Sequence, residues 1–146
     1  MYVASVVRMQ VDSLLKCFRE PSILIMGDFN DYPYNRSMHT VLGAVHPNDT
    51  TGLLANLMFP LHEKGKGTHK HAGEWGALDQ LIVSRNLLNT TNRFHAASDG
   101  ATILNLPFLL EKDSKFMGFE PFRTYNGMKY QGGYSDHLPV YIDFYY

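Results

Sequence analysis

The sequence predicts one α/β domain, and three observations predict it. A helical apolar stripe runs directly into a short apolar segment, "SILIMGDFNDYP", Ser22 to Pro33. Two further apolar segments follow at Leu78–Ser84 and Leu138–Phe144. No internal repeat, low-complexity tract or linker interrupts the 146 residues, a length suited to one domain with its own core. A helix followed closely by a buried strand is the local pattern of an α/β fold.

The elements follow in chain order. Val7, Val11, Leu14, Leu15 and Phe18 recur at the spacing of an amphipathic helix, which Glu20-Pro21 ends. Cys17 falls on its apolar side and reads as a buried structural thiol; as the only cysteine it excludes an internal disulfide. Ile23 to Met26 has the continuous apolar character of a strand covered on both faces, and Gly27 lets the backbone turn. Ser37 to Leu42 reads as a short helix, with Met38, Val41 and Leu42 on one side and Gly43 beyond its end. Leu53, Leu54, Leu57 and Met58 suggest another helix, stopped by Pro60. "HEKGKG" is an exposed turn. Leu78 to Ser84 is a second buried strand, with shorter strands expected at Phe94–Ala97 and Thr102–Leu104. Pro107 to Gly118 reads as a loop with a helical turn. Leu138 to Phe144 is a third strand, with Pro139 near its start.

Composition narrows the function classes. Hydrophobic residues make up 45% and charged residues 18%, as in ordinary globular proteins. The net charge of −1 provides no global basic field for nucleic acid, although a local basic cleft stays open. No run of 18 or more apolar residues occurs, so no membrane span is expected.

The chemistry lies at the strand ends. The segment "ILIM" leads into Asp28 and Asn30, Asp79 precedes "LIVS", and Asp136 and His137 precede "PVYIDF". Strand ends of an α/β sandwich can converge on one edge, and three acids, an amide and an imidazole suit a divalent metal and a phosphate. Each pair alone has a plainer reading: Asp28 and Asn30 as an Asx turn, Asp136-His137 as a surface turn. Asp79 lies between Leu78 and Leu81, where an unpaired carboxylate is unfavourable, so a cation or imidazole is expected beside it.

The segments "IMGDFND", "EWGALDQLIVS" and "YSDHLPVYIDF" resemble, in order, the last three motifs of the endonuclease/exonuclease/phosphatase superfamily. Trp75 and the preceding "GTHKHAGEW" fit the same pattern, and the likeness extends from about Met9 to the C-terminus. The resemblance implies a four-layered, DNase I-like α/β sandwich with buried strands flanked by helices. It also implies hydrolysis of phosphodiesters or phosphomonoesters with Mg2+ or Mn2+. Asp28 would orient or deprotonate the attacking water, and Asn30 would hold that water or a phosphate oxygen. His137 would contact the phosphoryl oxygens, Asp79 would orient His137 and keep it charged, and Asp136 would help to ligate the metal.

The family's early asparagine, its metal-binding glutamate and a further histidine motif have no counterpart here. Residues 1–146 are therefore expected to form a single unit corresponding to the C-terminal half of the family domain. Two expectations follow: weak metal binding, and an exposed apolar sheet face covered by a second copy or by the missing half. A non-catalytic, self-associating remnant is the alternative function.

Other residues carry weaker signals. His69 and His71 are expected to face the substrate cleft, together with Trp75 and Arg123, although core packing is the plainer reading of Trp75 over a stacking platform. His62, Glu63, His69 and His71 lack the helical spacing of a zinc site and read as a polar loop. Lys64, Lys66 and Lys70 read as a small solvated basic cluster.

Overall fold

A computed structural model describes residues 1–146. A four-stranded sheet forms its centre, in the order β1 (Leu24–Asp28), β6 (Asp79–Ser84), β3 (Leu54–Asn56), β2 (Ala44–Val45). β1 and β3 both run antiparallel to β6, while β2 and β3 are parallel. β6 is a central strand of this sheet, and every one of its residues after Asp79 is buried. Its side chains alternate between two cores, as a pleated strand requires.

Ile82 faces the first core, with Val11, Ile23, Met38, Leu42, Ala44 and Leu54. Helix α1 (Tyr2–Cys17) and a π-helical turn at Ser37–Leu42 cover that side. Leu81 and Val83 face the second core, with Ala55, Leu57, Met58, Ala77, Leu87 and Ala101. Ile103, Val140, Ile142 and Phe144 pack against it, delivered largely by the antiparallel pair β7 (Thr102–Ile103) and β12 (Val140–Tyr141). Helix, sheet and a second small sheet thus stack in layers, giving a mixed α/β architecture of several sheets and few helices.

Three hairpins surround this centre. β4 (His69–His71) pairs with β5 (Glu74–Gly76), β8 (Leu110–Lys112) with β9 (Phe119–Pro121), and β10 (Tyr125–Asn126) with β11 (Lys129–Tyr130). A short helix, α2 (Phe59–Glu63), precedes β4.

Several expectations are corrected. The segment Leu53–Met58 is not helical: Leu54–Asn56 adds to β6 as β3, because pairing with a buried strand satisfies its backbone where isolated helix propensity is weak. Pro60 stands in the first turn of α2 and opens that helix instead of stopping one. β1 is not covered on both faces. It ends the sheet, so Leu24 and Met26, on the face of Val83 and Leu81, are 39% and 56% exposed. Cys17 is exposed, as are Leu14 and Phe18, because α1 meets the core chiefly through Val7, Val11 and Leu15. The third strand is limited to Val140–Tyr141, and the Phe94–Ala97 segment contributes a single bridge, His95 to Tyr145. The helical turn of Pro107–Leu109 forms, but β8 follows it where a loop was expected.

Candidate active site

The strand register places the site. Asp28, the last residue of β1, lies opposite Asp79, the first of β6, so one antiparallel pair brings two carboxylates to the same rim. β4 lies alongside, and a bridge between His69 and His137 ties it to the segment that precedes β12. Asp28, Asn30, His69, Leu78, Asp79, Ser135, Asp136 and His137 line a shared open recess of about 500 Å³.

Local geometry fixes each side chain. After Asp28 the chain turns back through Asn30 at φ 50°, a left-handed conformation that asparagine tolerates better than most residues. Asp28 Oδ1 accepts the Asn30 backbone N–H at 2.9 Å, and its Oδ2 accepts Asn30 Nδ2 at 3.2 Å. The plain Asx turn and the convergent acid are therefore the same structure. Asp79, expected to have a cation or imidazole beside it, has His137: Nδ1 lies 2.7 Å from Oδ2. An ionised carboxylate only accepts, so Nδ1 donates and Nε2 is left free. The two side chains are 20% and 15% exposed, which shields the pair from water. Ser135 Oγ accepts the His137 backbone N–H at 3.1 Å and steadies the turn.

His69 brings a second ring, 4.8 Å from that of His137 between centroids. Burial pulls its pKa below the ordinary imidazole value, the neighbouring His137 pulls the same way, and Asp136 opposes them. His69 is thus biased towards its neutral form, able to donate or accept a hydrogen bond.

The supporting shell was not legible as such. Gln80 is fully buried and donates through Nε2 to the carbonyls of Asp31 and Ala77, both at 2.7 Å. Its Oε1 accepts Asn56 Nδ2 at 2.9 Å. Asp31 in turn accepts from Asn35 at 2.6 Å and from Ser37 at 2.5 Å. This network clamps the loop after β1 to β6 and so fixes Asp28 relative to Asp79. The only sequence signal was a glutamine inside an apolar strand, directly after Asp79.

Three residues expected at the substrate cleft do not line the recess itself, although the Arg123 charge still acts on His69. Trp75 lines a separate cavity with Leu61 and Ile103, and Arg123 lines a third pocket with His71, Glu111 and Glu120. Lys70, expected among solvated lysines, is buried, with its Nζ 2.8 Å from Asp113 Oδ2.

A family model described as the Endonuclease/Exonuclease/phosphatase family matches residues 1–145. The chain belongs to this family. No curated protein and no solved structure matches it. Membership in the endonuclease/exonuclease/phosphatase family places the chain in a superfamily of phosphoesterase and nuclease-type proteins that act on phosphate esters. No helix is long and apolar enough to cross a membrane.

The family generally uses a divalent metal, and the rim offers donors for one. His69, Asp136 and His137 place ligand atoms within 4.8 Å of one another, as do Asp28, Asp79 and His137. The oxygens compete with existing bonds, because both of Asp28 are occupied by Asn30 and Oδ2 of Asp79 by His137. Asp136 is exposed and forms no ion pair. Such a donor set fits a hard ion that keeps several waters and takes one or two carboxylates, not one that needs a full protein cage.

Proposed function

We propose that the chain carries the C-terminal half of a metal-dependent phosphoesterase domain, which hydrolyses a phosphate ester with water as nucleophile. The observation that carries this reading is the Asp79–His137 pair at 2.7 Å, set in one recess with Asp28, Asn30 and Asp136. A phosphoester anion repels an incoming nucleophile, so the site must both position water and balance charge. Asp28, held by Asn30, orients or deprotonates the water. Asn30 steadies that water or a phosphate oxygen. His137, fixed by Asp79, presents Nε2 to the phosphoryl oxygens and stabilises the charge developing there. His69 adds a neutral hydrogen-bonding group at the same edge.

Asp136, with His69 and His137 beside it, would hold Mg2+ or Mn2+, and the ion would supply charge neutralisation at the phosphoryl group. With one unengaged carboxylate the affinity is weak, and activity of this chain alone is correspondingly low. A non-catalytic, self-associating role is the second reading. The uncovered Leu24 and Met26 on β1 favour it, since they leave apolar surface for a second copy or for the domain's other half.

Hydrolysis of bis(p-nitrophenyl) phosphate tests the enzyme. Release of p-nitrophenol that requires Mg2+ or Mn2+, stops with EDTA and is abolished in His137→Ala is the expected result. Turnover unaffected by His137→Ala assigns the hydrolysis to some other site or to a contaminant.

A further inference from the structure

A second cavity backs onto the wall that carries the two histidines. Gly67 and Leu138 line this cleft, whereas His69 and His137, one or two residues along, line the catalytic recess. The Leu138 backbone N–H donates to the Thr68 carbonyl at 2.8 Å, which joins the two segments into one partition. His137 and Leu138 are successive residues of extended backbone and so point to opposite sides, which lets one wall serve both spaces.

The cleft has a volume of about 630 Å³, within the range of small-molecule sites. Its apolar walls include Leu61, Trp75, Ile103 and Leu138. Lys66, Asp99 and Asn105 also line it and are exposed to solvent. Neither Lys66 nor Asp99 forms an ion pair. Lysine only donates, an ionised aspartate only accepts, and asparagine does both. An aliphatic ligand would use none of these three groups, and a polyanion would meet one cation opposed by one carboxylate. A flat, largely apolar ring with donors and acceptors along one edge matches both the walls and the mouth.

We propose that this cleft binds a planar aromatic heterocycle of nucleobase size, stacked against Trp75 with its polar edge on Lys66, Asp99 and Asn105. Binding here stands independently of the phosphoesterase reading. The heterocycle comes either as a free effector or as the base of the phosphate ester itself.

Trp75 is the only tryptophan in the chain, so its emission reports directly on the cleft. The full chain is titrated with adenosine and, separately, with adenosine 5′-monophosphate, exciting at the red edge of the tryptophan band. Saturable quenching by adenosine is expected. Lys66→Ala and Asn105→Ala, both at exposed positions that the core does not use, should each weaken binding by roughly three- to tenfold. Tighter binding of the monophosphate that His137→Ala removes supports the proposal and identifies the base of the substrate as occupant. Equal binding of both probes supports it and identifies a free effector. Absence of saturable quenching, or quenching that both mouth variants leave unchanged, overturns the proposal. Because the readout requires no turnover, a catalytically silent chain that still binds adenosine separates this inference from the hydrolytic one.

Discussion

Asp79 begins β6 with its carboxylate against His137 Nδ1, and that contact fixes which imidazole nitrogen faces the recess. Replacing Asp79 with asparagine keeps the size of the side chain but lets an amide N–H₂ face Nδ1, which favours the opposite tautomer and removes the negative charge. Asp79→Asn should therefore lower kcat by roughly 10²–10⁴-fold. KM should change little, and an unchanged circular dichroism spectrum would show that the fold survives. Turnover equal to the parent protein would mean that the pair is structural. The need for such a partner was legible beforehand, because an acid between Leu78 and Leu81 cannot remain unpaired at low cost. Its identity was not: His137 is 58 residues away, and only the bridge to β4 brings it in. Gln80 was missed for the same reason, since its partners Asp31 and Asn56 become neighbours only once the sheet has formed.

Among the elements, the β8–β9 hairpin depends on one buried ion pair. Lys70 on β4 and Asp113 in the hairpin turn are 2.8 Å apart, with side chains only 3% and 4% exposed. Lys70 Nζ also donates to the Met117 carbonyl at 3.0 Å. The hydrogen bond from Lys70, assisted by the backbone N–H groups of Phe116 and Lys115, lowers the Asp113 pKa to about 2. A carboxyl depressed in the folded state stabilises the fold above its unfolded pKa of about 3.9 and loses that contribution as the pH falls. Urea unfolding should accordingly show stability declining between about pH 4 and pH 2. Asp113→Asn should be less stable at neutral pH and show a flatter acid limb, and an identical limb would exclude this pair as the cause. Element types were legible where periodicity was long or burial complete, as in α1 and β6. They were misread at Leu53–Met58, where "LLANLM" suits a helix in isolation and only the exposed flank of β6 turns it into a strand.

At the scale of the molecule, β1 combines the rim that carries Asp28 with an unprotected edge. Ser84 N donates to Ile23 O and Phe29 N donates to Leu78 O, so Ile23, Ile25, Gly27 and Phe29 direct their backbone bonds towards β6. Leu24, Met26 and Asp28 therefore turn theirs away from the sheet, on a strand whose Leu24 and Met26 side chains are also uncovered. No lysine, proline or bulge blunts the edge between Leu24 and Asp28, so it offers both hydrogen bonds and apolar surface to another strand. An antiparallel pairing of two copies about Met26 would match both features through one two-fold axis. Sedimentation velocity should then show a coefficient that rises with concentration. Met26→Lys places a charge on the axis and forfeits a buried side chain worth about 1.5–3 kcal/mol, so it should weaken association by roughly tenfold or more. The variant should unfold like its parent, because Met26 is half-exposed in the isolated chain and contributes little to the core. A parent protein that sediments as a monomer at every concentration would reject self-association through this edge.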